Sequence, residues 1–169
     1  MTAEASRLHN VVLVNAGLGE RDNRMLLETT DDKGRALGGG SRIVEHFGSA
    51  KVVAEEVDIR TIDNVLPGNR VDPIIQFDVE GWEKAALGGA LTTIQRCPST
   101  IILEVLLGST LLDSAWFSAN IITLGYREIG VRRGNTVFSC DPDRTKTGCD
   151  DCYGVDRDRE EVHSDVRQV

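Results

Sequence analysis

Pro73-Ile74-Ile75-Gln76-Phe77-Asp78-Val79-Glu80-Gly81-Trp82 decides the reading of this chain. The apolar run predicts a strand over Pro73–Val79, apolar on both faces until its end, as in the middle of a parallel sheet. Glu80-Gly81 turns the chain, and the strand end carries two carboxylates, Asp78 and Glu80. Beyond the turn, Trp82, Ala85, Ala86, Ala90 and Ile94 share one helical face, so the spacing predicts a helix over Trp82–Arg96, stopped by Pro98. Glu83 in its first turn suits the positive end of the helix dipole. Thr100–Leu107 reads as a second buried strand and Ser109–Leu124 as a helix ended by Gly125. Tyr126–Arg132 and Asn135–Ser139 read as two strands, joined tightly at Gly134-Asn135. This alternation predicts an α/β sheet that is mainly parallel, with one antiparallel strand from the closing hairpin.

Upstream, Val11-Val12-Leu13-Val14 predicts a short buried strand closed by Asn15-Ala16-Gly17-Leu18-Gly19. Arg24–Thr29 and Lys51–Arg60 read as further strands, and Thr61 as the cap of a short helix reaching Leu66. Thr30–Ser41, with Gly38-Gly39-Gly40, reads as a flexible loop. The Val11–Gly19 stretch superficially resembles a glycine-rich cofactor loop. Such a loop needs a helix behind it and a ribose-binding acid about 20 residues on, and neither is evident.

The chain has 169 residues, room for one domain. Hydrophobic residues make up 40% and charged residues 27%, as in an ordinary globular protein. The net charge of −8 repels phosphate backbones, so no nucleic-acid partner is expected. No apolar run approaches the roughly 18–20 residues of a membrane span, and the first residues lack a basic-then-apolar leader pattern. Together these point to a cytoplasmic protein with no membrane partner. Residues 141–169 hold nine acidic and five basic residues and only seven hydrophobic ones. The expected division is therefore a folded body over 1–140 and an acidic, disordered tail over 141–169. Cys140, Cys149, Cys152 and His163 hold donors that suit zinc, but their spacing matches no known finger, and free thiols are the simpler reading. His9 and His46 are expected at the surface.

Phe77-Asp78-Val79-Glu80-Gly81-Trp82-Glu83, Leu87-Gly88-Gly89-Ala90 and Ile101-Ile102-Leu103-Glu104-Val105, in that order, resemble the FkbM family of methyltransferases. Val57–Leu66 resembles the family's lead-in to the Asp78 strand, and Val11–Asp22 the segment before that. Leu124-Gly125-Tyr126 and Gly134–Phe138 resemble its closing hairpin. The resemblance spans roughly residues 10–140.

It implies a Rossmann-like, doubly wound sheet that uses S-adenosylmethionine, with strand order 3-2-1-4-5-7-6. It also implies O-methylation of a small-molecule or sugar hydroxyl. Ligands of such sheets lie at the carboxyl ends of the strands. Asp78 is the expected proton acceptor. Glu80 would bind substrate, bind a metal or cap the helix, and Glu104 would orient substrate. Each also has a purely structural reading, accepting backbone N–H groups at a strand end. Gln76 stands where the family usually has lysine, which removes a positive charge beside the cleft. In the family register Val11–Val14 is the third strand, with Asn15 and Ala16 near the adenine. The first two strands, with the cofactor loop, would then precede Met1. The Pro73 strand would become an open edge suited to self-association, and S-adenosylmethionine would bind weakly or not at all. The alternative function is a catalytically inactive remnant serving as an interaction module.

Overall fold

The computed structural model describes residues 11–45, 52–66 and 73–140. The tail, Cys149, Cys152, His163, His9 and His46 lie outside them. Eight strands form two four-stranded sheets. In the first, β1 (Gly17–Leu18) pairs in parallel with β4 (Ala54–Arg60). β2 (Asn23–Glu28) runs antiparallel to both β4 and β3 (Arg42–Val44), giving the order β1-β4-β2-β3. In the second, β5 (Ile74–Phe77) is parallel to β6 (Thr100–Glu104), and β8 (Asn135–Cys140) is antiparallel to β6 and to β7 (Tyr126–Arg132). That order, β5-β6-β8-β7, corresponds to the last four positions, 4-5-7-6, of the order the resemblance implies. The expected single, mainly parallel sheet is not present. Among the described residues only β1–β4 and β5–β6 pair in parallel.

The core lies on the second sheet. Phe77, Ala86, Leu87, Ala90, Ile101 and Leu103 are wholly buried there, and the Phe117 and Phe138 rings pack at 5.1 Å. Tyr126 ties the sheet to the helix layer. Its hydroxyl accepts the Ser99 N–H (3.1 Å) and donates to the Ile94 carbonyl (3.3 Å). Burial pushes this phenol's pKa up.

Several local expectations need correction. Val11–Val14 is neither a strand nor buried, and Val12 and Leu13 are 84% and 74% exposed. An apolar run becomes a strand only where another strand accepts its backbone, and none of the described strands lies beside it. In β5, Ile75 and Phe77 point into the core while Ile74 and Gln76 face outward, because only one face is covered. β5 pairs with β6 alone, and no other described strand covers its second edge.

The helix predicted over Trp82–Arg96 is two helices, α2 (Glu83–Gly88) and α3 (Leu91–Arg96), broken at Gly89-Ala90. Gly89 passes so close to Gly19 that a side chain there would strike the Gly19 carbonyl. The helix predicted over Ser109–Leu124 shortens to α4 (Ala115–Asn120) and one 3₁₀ turn at Ile122–Leu124. It starts where the Ser114 hydroxyl accepts the Phe117 N–H. Gly125 ends that turn at φ +88°, as predicted. The hairpin turn centres on Arg133-Gly134, one residue earlier than predicted, with φ of +51° and +85°. Thr30–Ser41 is a hydrogen-bonded turn in which Asp31 accepts the Lys33 and Arg35 N–H groups.

Helix α1 (Ile62–Val65) is capped by Thr61, as predicted. It also joins the two sheets. The Asp63 N–H donates to the Gly89 carbonyl (2.9 Å). The Asp63 carboxylate accepts the Thr92 and Thr93 N–H groups at the start of α3 (3.1 and 2.7 Å). A cap supplied from another segment satisfies donors that α3 cannot satisfy itself. No helix among the described residues is long and apolar enough to cross a membrane.

Candidate functional site

Parallel pairing of β5 and β6 places their carboxyl ends side by side. Phe77 pairs with Leu103, so Asp78 and Glu104 follow at the same sheet edge. Their carboxyl groups lie near enough for the charge of one to act on the other. Asp78 raises the Glu104 pKa above its ordinary value. Burial, the hydrogen bond to Asp78, and the charges of Glu80 and Glu83 add to this in that order. The cause is like charge: two neighbouring carboxylates resist ionising together. Glu104 therefore holds its proton to higher pH than an ordinary glutamate.

The turn after β5 shapes this edge. The Trp82 N–H donates to the Val79 carbonyl (3.1 Å), and both central residues, Glu80 and Gly81, have positive φ (+50° and +92°). Glycine adopts this freely, whereas for Glu80 it costs about 1 kcal/mol. Glu83 reaches back from α2 to accept the Gly81 N–H (2.9 Å) and is buried. The sequence reading gave Glu83 only a dipole role. Its signal was a glutamate two residues beyond a glycine turn at a helix start, the pattern of a side chain returning to cap the turn.

Asp78, Glu80 and Glu104 are thus brought together at one sheet edge. Asn15 and Ala16 sit before β1. Asn15 is exposed, and the Ala16 N–H donates to the Val14 carbonyl (3.0 Å). No group of three metal-ligating side chains occurs among the described residues. A cleft of about 670 Å³ opens between the first sheet and α2, with Gly19, Ile59, Gly81 and Trp82 among its walls. Asp78, Glu80 and Glu104 do not line it. Sequence reasoning missed the cleft, because its two walls come from distant segments.

The FkbM methyltransferase domain matches residues 5–113. The chain belongs to the FkbM methyltransferase family. The family match takes in β1 to β6, including Asp78, Glu80 and Glu104, and ends before α4 and the β7–β8 hairpin. No curated protein and no solved structure matches the chain.

The site's charge bears on the cofactor that the family implies. A methyl donor of the sulfonium class is a cation, and the carboxyl groups of Asp78, Glu80, Glu83 and Glu104 concentrate negative charge at one strand end. Opposite charges attract, less strongly at an exposed strand end such as this one than in a closed site. The carboxylate edge fits the cationic end of such a donor.

Proposed function

We propose that this chain is an S-adenosylmethionine-dependent methyltransferase of FkbM type that methylates a hydroxyl oxygen of a small molecule or sugar. Residues 1–140 form the methyltransferase portion, and 141–169 an acidic tail. The observation that carries the reading is the Asp78–Glu104 pair at the ends of two parallel strands.

When bound, S-adenosylmethionine supplies an activated methyl group. Asp78 stands exposed at the strand end, where it accepts the proton released by the acceptor hydroxyl. Glu104 is a positioning residue. It stands beside Asp78 at the ends of the two parallel strands and holds it in place. Glu80 faces the acceptor from the turn, and Glu83 fixes that turn through the Gly81 N–H. Asn15 and Ala16 form the adenine side.

The second reading is an inactive member of the family acting as an interaction module. The exposed, unpaired Val11–Val14 run favours it, because Asn15 and Ala16 then follow a segment that no described strand holds in place. Isothermal titration with S-adenosylmethionine separates the two. Micromolar binding, with methyl transfer abolished by Asp78→Asn, supports the enzyme. Absence of binding by the folded chain overturns the enzyme reading.

A further inference from the structure

Among the described residues, the two sheets end on β1, β3, β5 and β7. An end strand presents unpaired backbone groups, and proteins guard such edges with short strands, charges or bulges. β1 has two residues. β3 has three and carries Arg42, paired with Glu28. β7 carries Arg127, Glu128 and Arg132, and a bulge breaks its register between Glu128 and Gly130. β5 has none of these guards. It reads Ile74-Ile75-Gln76-Phe77, without charge or bulge, and Ile74 is 73% exposed.

Hydrogen bonding fixes which groups of β5 lie on its second side. The Thr100 N–H donates to the Pro73 carbonyl (3.0 Å), and Thr100 is the register partner of Ile74. In a parallel ladder the backbone groups of Ile75 and Phe77 then also face β6. Successive residues alternate, so the N–H and C=O of both Ile74 and Gln76 point away from β6. Among the described residues, nothing bonds to these groups. Pro73 does not guard this side, because its backbone faces β6. An apolar, uncharged strand is thus left with donors and acceptors that call for partners.

These groups match themselves. When two copies of β5 meet antiparallel about a two-fold axis at Ile75, Ile74 of each copy stands opposite Gln76 of the other. Each such pair exchanges both of its N–H···O=C bonds. The axis sets Ile75 against its own copy, and β5 brings no charge against its like. We infer that this chain forms a two-fold dimer by antiparallel pairing of β5 with β5 of a second copy. The pairing joins the second sheets of both copies into one continuous sheet. It uses up the edge it needs, so assembly stops at two copies. A four-residue strand makes a small contact, which belongs with the weak, transient interfaces. The dimer forms whether or not the chain transfers methyl groups, so it stands apart from the methyltransferase reading.

Sedimentation velocity of the full chain over a concentration series reads the assembly. Monomer should pass to dimer with a midpoint of about 10 μM to 1 mM, as for a small interface. Gln76→Pro deletes one edge-facing N–H from each copy, and an end strand tolerates proline where its partner strand does not use that N–H. It should weaken the dimer at least about tenfold. Ile74→Lys, at an exposed position, should do the same by placing charge on the edge. Circular dichroism melts identify which variants keep the parent fold. Val12→Lys, at the most exposed residue of the Val11–Val14 run, is the control and should leave the midpoint unchanged. The inference is overturned if the parent chain stays monomeric at about 1 mM, if assembly continues past the dimer, or if a folded β5 variant dimerises like the parent. Equal weakening by Val12→Lys and Ile74→Lys also overturns it, as the mark of general apolar adhesion. Failure of S-adenosylmethionine to bind in its own titration would sink the methyltransferase reading and leave the dimer result intact.

Discussion

Replacing Gly89 by alanine tests how closely the two sheets are held. Gly89 has φ −79° and ψ 3°, a conformation open to any L-residue. An alanine there therefore carries no backbone strain, and its effect is steric alone. Its Cβ would fall on the Gly19 carbonyl, well inside van der Waals contact, and 3.2 Å from the Thr61 Cβ. The obstacle is backbone, which cannot swing aside as a side-chain tip can. Overpacking of this kind costs about 1–3 kcal/mol. Moving Gly89 also loosens the bond from the Asp63 N–H to its carbonyl, worth about 1 kcal/mol. Restricting the unfolded chain returns roughly 0.5–1 kcal/mol. The net loss is about 1–3.5 kcal/mol, which lowers the melting temperature by about 3–12 °C. Gly39→Ala is the control, since a Cβ there meets nothing within 4 Å. Circular dichroism melts of both variants read the difference. A Gly89→Ala melting temperature within about 2 °C of the parent would refute the close approach.

Three further outcomes follow from particular contacts. The Glu104 pKa is raised in the folded chain, so the folded state binds more protons than the unfolded one, and stability falls as pH rises through the raised value. Glu104→Gln should melt higher than the parent at neutral pH, with the advantage gone below the ordinary glutamate range; an equal difference at every pH would count against the Asp78–Glu104 contact. Tyr126→Phe leaves the buried Ser99 N–H without its acceptor and should cost about 1–3 kcal/mol in urea denaturation. Arg133→Asn places an Asn-Gly pair at the two positive-φ positions of the β7–β8 turn and should stabilise by about 0.5–1 kcal/mol, read in the same denaturation.

The carboxylate edge was legible because its information is local. Phe77-Asp78 and Leu103-Glu104 each carry a strand end and its acid in adjacent residues, and parallel pairing does the rest. The Thr61 cap and the Gly125 stop were legible for the same reason. Val11–Val14 was misread because hydrophobicity says nothing about which strand will accept a backbone. The break between α2 and α3 was hidden because Gly88-Gly89 fits a helix at modest cost, and only the distant Gly19 makes it necessary. Separation into two sheets depends on pairings such as Asn23 with Ile59, which no local pattern encodes. The cleft escaped detection for the same reason, since Arg21 and Trp82 meet only after both sheets have formed.

Asp63 donates to one side of the α2–α3 junction and accepts from the other, so α3 cannot keep its first turn satisfied once the segment carrying Asp63 departs. The two sheets consequently behave as one cooperative unit on unfolding, despite having no strand in common. In native-state hydrogen exchange the amide protons of Thr92 and Thr93 should be released only with those of β4, and partial melting of one sheet ahead of the other should not be observed.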